Sequence, residues 1–107
     1  MENRTSFTKE LVLNSVADDY EDFRIILDEV TYWGSQRGIQ LTRDEVEMAL
    51  LDLLSTGHVQ AYELSSVPPH STPVSFTAER ARDLYYYLTP TGRKILRNLV
   101  ELGFELD

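Results

Sequence analysis

The stretch Thr42 to Gly57 (TRDEVEMALLDLLSTG) leaves the chain little local choice, and the rest of the fold must be arranged around it. Thr42 is a capping residue, and Glu45 three positions on completes a capping box, in which each side chain satisfies the other's backbone N–H. Leu41 stands where it can staple onto Val46. Val46, Ala49, Leu50, Leu53 and Leu54 recur at the helical period and form one apolar stripe. Gly57 supplies a residue free to take positive φ, which ends the run. The spacing therefore predicts a helix over 43–56. His58 to Leu64 (HVQAYEL) follows at once and is rich in strand formers, so helix gives way to strand within two residues. A chain built this way is of mixed α+β type.

Upstream, Phe23, Ile26, Leu27, Val30 and Trp33 mark a second amphipathic helix over 20–33, with Asp19 as its cap and Gly34 to Gly38 (GSQRG) as its end. Leu11, Val12, Val16 and Ala17 mark a helix over 8–17, and the break at Asp18-Asp19 leaves open whether the two are continuous. Downstream, Asp83 to Thr89 (DLYYYLT) is a second strand. With His58 to Leu64 it makes an antiparallel hairpin over 58–89, closed by a loop over 65–82. Within that loop, Ser65 to Pro73 (SSVPPHSTP) holds three prolines, each lacking a donor and restricting its predecessor, so no strand or helix is expected to run through it. Phe76 to Arg82 has room for a turn of helix. Alternation along the second strand puts Leu84, Tyr86 and Leu88 on one side and Tyr85 and Tyr87 on the other. Thr89 caps and Pro90 opens a last helix over 90–102, lined by Ile95, Leu96, Leu99 and Val100. Gly103 ends it, and Phe104 is placed to fold back onto Leu99. At 107 residues a single domain, 1–107, accounts for the chain.

Two strings narrow the fold. Leu50 to Val59 (LLDLLSTGHV) resembles the point in PadR-like and MarR-like bacterial transcriptional regulators where the recognition helix turns on a glycine into the first wing strand. Tyr85 to Arg93 (YYYLTPTGR) resembles the second wing strand of those regulators entering the C-terminal helix. The resemblance covers roughly Leu41 to Leu99. It implies an α+β winged helix-turn-helix domain: a three-helix core, a two-stranded β-hairpin wing and a C-terminal helix. By the same resemblance the helix at Thr42 enters the DNA major groove, with Arg43, Asp44, Glu47, Met48 and Leu51 as readers and a basic wing on the backbone.

Charge argues against that use. Phosphate affinity comes from Lys and Arg displacing counterions, and four of those five readers cannot do this. The chain carries ten Lys plus Arg against eighteen Asp plus Glu, a net −8. Up to Gly57 there are twelve acids and five bases, hence −7, so the helices expected to meet DNA hold nearly all of the imbalance. Met48 and Leu51 on the outward helix face are framed by Asp44, Glu47, Asp52 and Ser55. An apolar centre with a charged rim matches a protein interface, unless the wing or the closing helix covers it. The candidate contact face is therefore Asp44, Glu47, Met48, Leu51 and Asp52, for an unknown protein partner or a homodimer. The alternative is a DNA-binding regulator, dimeric, whose candidate contacts are Arg43 and the wing residues Arg80 and Arg82. Arg93, Lys94 and Arg97 form a second basic cluster, either a solvated face or an ion-pairing surface toward a neighbouring copy.

Other chemistries find little support. There is no cysteine, which excludes disulfides and thiol catalysis. His58 and His70 lack metal-ligand spacing, and no glycine loop is built to cradle a phosphate. Asp18, Asp19, Glu21 and Asp22 do not match a calcium loop and fit a helix N-terminus instead. No enzyme activity, metal or cofactor is expected. Neither a leader at Met1 nor an apolar run of membrane-spanning length is visible, so a cytoplasmic, non-membrane protein is expected.

Overall fold

The computed structural model describes residues 4–101. Four helices and a four-stranded antiparallel sheet follow one another: α1 (Arg4–Ser15), β1 (Glu21–Asp22), α2 (Phe23–Gln36), α3 (Arg43–Ser55), β2 (Val59–Leu64), β3 (Ser71–Val74), β4 (Tyr85–Leu88) and α4 (Pro90–Glu101), with a 3₁₀ turn at Ala78–Arg80. The strand order is β1-β4-β2-β3. The expected ends at Gly103 and Phe104 lie outside the described residues.

Local signals place α3 as expected. Thr42 accepts from the Glu45 N–H, and the Glu45 carboxylate accepts from the Thr42 N–H at 2.9 Å. Gly57 takes φ +81°, which a side chain would resist. The pairing of β2 with β4, Val59 opposite Leu88 through Tyr62 opposite Tyr85, is the expected hairpin partnership.

The sheet is larger than the expected pair. Instead of an open loop over 65–82, the chain turns back after β2 and lays β3 along it, Ala61 opposite Val74 and Leu64 opposite Ser71. Pro73 sits inside β3, opposite Tyr62. The strand tolerates it because β3 is an edge strand, and a donor missing from an edge leaves no ladder partner unpaired in the sheet.

The first two helices begin at other residues than the periodicity suggests. They are separate, and α1 begins at Arg4 rather than Thr8. Thr8 lies inside the helix: it is buried, and its hydroxyl donates to the Arg4 carbonyl at 2.8 Å. After Ser15 the backbone leaves the helix to serve the sheet. Leu88 N–H donates to Val16 C=O at 3.1 Å, and Glu21 and Asp22 pair with Tyr86 and Tyr85. Asp22, not Asp19, then caps α2, accepting from Ile25 N–H at 2.9 Å.

The core gathers Leu11, Val12 and Val16 with Ile26, Val30, Val46 and Leu50 from the helices, and Val59, Leu84, Tyr86 and Leu88 from the sheet. Burying a side chain of this size contributes about 1.5–3 kcal/mol. Leu84, Tyr86 and Leu88 face this core and Tyr85 and Tyr87 do not, as the alternation predicts.

At its start, α1 is tied to α3 across the surface. The Arg4 guanidinium pairs with the Glu45 carboxylate, one N–H···O distance being 3.0 Å, and it also donates to the Gln40 carbonyl. The hydrogen bond from Arg4, followed by that from Thr42, lowers the Glu45 carboxyl from 4.5 to about 2. A folded-state value below the unfolded one adds stability that is complete above about 4.5 and lost as pH falls toward about 2. In thermal melts between those limits, the wild type is expected to lose more of its melting temperature than Glu45→Gln. Parallel pH profiles would show that the pair contributes nothing. Because the pair is partly exposed, the difference should be modest.

Candidate functional site

The first turn of α2, the outward side of α3 and the β3–β4 connection enclose a cleft made of two adjoining hollows of about 410 and 380 Å³. Phe23, Arg43 and Arg82 border both. One end is completed by Asp22, Arg24 and Leu27. The other is completed by Leu50, Leu51 and Phe76, with Glu47, Glu79 and Ala81 at its edge.

Each wall has a local cause. The Asp22 cap starts α2 so that Phe23 turns inward and Arg24 outward. The capping box starts α3 with Arg43 beside Phe23, and its guanidinium lies 5.3 Å from the ring centroid, a cation–π contact worth about 0.5–1 kcal/mol at an exposed site. The third wall hangs on the sheet. Tyr86 is fully buried and its hydroxyl donates to the Ala81 carbonyl at 2.8 Å, while Phe76 packs 6.4 Å from the Tyr86 ring. Burial, with Glu47 second, raises the Tyr86 phenol well above its ordinary range, which keeps it a donor.

The sequence-predicted contact face is divided by the structure. Met48 is 59% exposed at the middle of α3, covered by neither the sheet nor α4. Leu51 and Glu47 turn toward the cleft, while Asp44 remains exposed on the first turn of the helix. Asp52 points to the other side, 3.8 Å from Lys9 of α1, and so leaves the face.

The alternative set is divided too. Arg43 and Arg82 meet at the cleft, but Arg80 is paired with Glu63 of β2. Arg24 joins them, and neither Arg24 nor Arg82 has an ion-pair partner among the described residues. Sequence reasoning missed Arg24, Phe23 and Phe76. The only signal was an arginine beside an aromatic at a helix start, and this is too common to select a site.

The second basic cluster is partly internal. Arg93 donates to the Ala17 carbonyl at 2.9 Å and to the Tyr87 hydroxyl at 3.3 Å, clamping α4 to the end of α1 and to the sheet. Lys94 and Arg97 stay exposed. On the sheet face away from the core, Tyr20 packs on Tyr62 and Tyr87, with ring centroids 5.0 and 4.9 Å apart. These rings occupy one another. His58 and His70 are taken up locally, by the Thr56 hydroxyl at 2.9 Å and the Ser65 carbonyl at 3.3 Å. Glu21, in the acidic run, is raised by burial and by Glu29, Asp19 and Asp22.

Among the described residues no group of three His, Asp or Glu side chains is placed to hold a metal ion, and no helix is long and apolar enough to cross a membrane. In comparisons with known proteins, no family model and no curated protein matches this chain.

Proposed function

We propose that this chain is a cytoplasmic, non-enzymatic winged-helix domain of regulatory ancestry that acts as a protein-contact module through the outward side of α3. The observation that carries the reading is Met48, a large apolar side chain 59% exposed at the centre of the helix that a DNA-binding winged helix would place in the groove. Around it stand Asp44 and Glu47, which a phosphate backbone repels and a protein rim accommodates. Support for the fold comes from the order of elements, a capped α3 passing directly into antiparallel strands and then α4, and from the likeness of Leu50–Val59 and Tyr85–Arg93 to PadR-like and MarR-like regulators.

The DNA-binding reading is favoured by one observation, the meeting of Arg24, Arg43 and Arg82 at a single cleft. A titration with duplex DNA of mixed sequence at low salt separates the two. The contact module is expected to show no binding in the micromolar range. Micromolar binding that weakens steeply with salt and disappears in an Arg43→Ala, Arg82→Ala variant would establish the regulator instead.

A further inference from the structure

We propose that the cleft between α2, α3 and the β3–β4 connection receives an acidic linear segment of another protein, its carboxylates on Arg24, Arg43 and Arg82 and an adjacent large apolar side chain over Phe23 toward Leu51 and Phe76. The assignment rests on the protein-contact reading of α3 and names the chemistry of the partner.

The charge arrangement carries it. In a chain with an excess of eight acids, Arg4 and Arg80 take carboxylate partners, Glu45 and Glu63. Arg24 and Arg82 do not, among the described residues, although both border a cleft that also contains carboxylates. Arg43 is held over the Phe23 ring instead of in an ion pair. The one acid at the arginine end, Asp22, is committed to capping α2. Three fork-shaped donors therefore stand around an aromatic floor, and they match carboxylates geometrically as well as electrically.

The opposite end fixes the class of partner. Glu47 and Glu79 stand there beside Leu50, Leu51 and Phe76. A nucleic acid presents phosphates in continuous rows and would press some of them against Glu47 and Glu79. A peptide can place acids at the arginine end alone and an apolar side chain beyond them. The size suits this, since hollows of about 410 and 380 Å³ lie in the range that receives one or two large side chains. Met48, exposed on α3 three positions before the cleft-lining Leu51, offers a further apolar contact, because an unbranched thioether adapts to varied partners.

The test is a selection of phage-displayed random nonapeptides on the full chain, followed by fluorescence anisotropy with the consensus peptide. Enriched peptides are expected to carry two or more acids next to a leucine, methionine or aromatic residue. Arg24→Gln with Arg82→Gln should weaken the consensus peptide at least about tenfold, because each arginine provides a charge-assisted hydrogen bond. Both side chains are exposed and without partners among the described residues, so circular dichroism should show the fold unchanged. Replacing the acids of the peptide by glutamines should have a similar effect, and high salt should weaken binding further.

No enrichment, basic or neutral consensus peptides, or equal binding by the double variant would each overturn the assignment. Without DNA binding those outcomes leave the contact reading of α3 standing. Duplex DNA binding through the same arginines removes both. A dimer in sedimentation that dissociates in the double variant would make a second copy the occupant and overturn the peptide.

Discussion

Tyr86→Ala is expected to lower the unfolding free energy by about 3–5 kcal/mol in urea denaturation followed by circular dichroism. The ring is fully buried at the centre of the sheet, between the helical core and Phe76, so its removal leaves a cavity that a rigid β4 cannot close. A domain of this size has about 5–15 kcal/mol in all, so the variant should lose a large share of its stability and melt well below the wild type. Tyr86→Phe separates packing from the hydroxyl. It keeps the ring and leaves the Ala81 carbonyl without its donor, at a cost of about 1 kcal/mol. That variant should also loosen the Ala81–Arg82 wall and weaken ligand binding at the cleft more than global stability. A loss under about 1 kcal/mol for Tyr86→Ala would show that β4 is not anchored through this ring.

Gly92→Ala is expected to cost about 1–3 kcal/mol or more, although alanine is the better helix former. A Cβ at this position would lie well inside van der Waals contact of the His58 carbonyl and 2.8 Å from Leu88 Cδ1. Backbone cannot yield as a flexible side chain does. The first turn of α4 must lift away from the exit of α3, where Thr89 N–H donates to the His58 carbonyl at 3.1 Å and the Thr89 hydroxyl to that of Gly57 at 2.7 Å. A melting temperature equal to or above that of the wild type would mean that α4 does not sit on this carbonyl. The same packing accounts for four residues of the string Leu88-Thr89-Pro90-Thr91-Gly92: Leu88 closes the strand, Thr89 caps, Pro90 starts the helix and Gly92 permits the close approach.

Gly92 also shows the limit of sequence reading. Glycines mark helix ends, and Gly57 is one. Gly92 lies inside a helix because of a carbonyl thirty-four positions earlier, and no local pattern carries that information. The same holds for proline. Pro73 argues against a strand until the sheet order shows that β3 lies at an edge.

Of the candidate site, Arg43, Glu47, Leu51 and Arg82 were legible as outward positions on an expected helix and wing, and the structure brings these four to one cleft. Asp52 and Arg80 had the same standing in the sequence but are drawn into pairs with Lys9 and Glu63. Charge counts see sign but not distance. A bulk −8 gives no hint that three arginines escape pairing at a single place.

What the sequence determined by itself is whatever depends on neighbours no more than about four positions apart. These are the capping box and stripe of α3, the glycine that ends it, the alternation of β4 and the Thr89-Pro90 start of α4. The tertiary structure alone decided what depends on partners distant in the chain. It separated α1 from α2, because Val16, Glu21 and Asp22 give their backbones to β4. It enlarged a hairpin to four strands, left Met48 uncovered, and set Arg24, Arg43 and Arg82 around Phe23. Hydrogen bonding within a turn is encoded in a short window, whereas sheet pairing and charge pairing are settled by which surfaces the packed core leaves side by side.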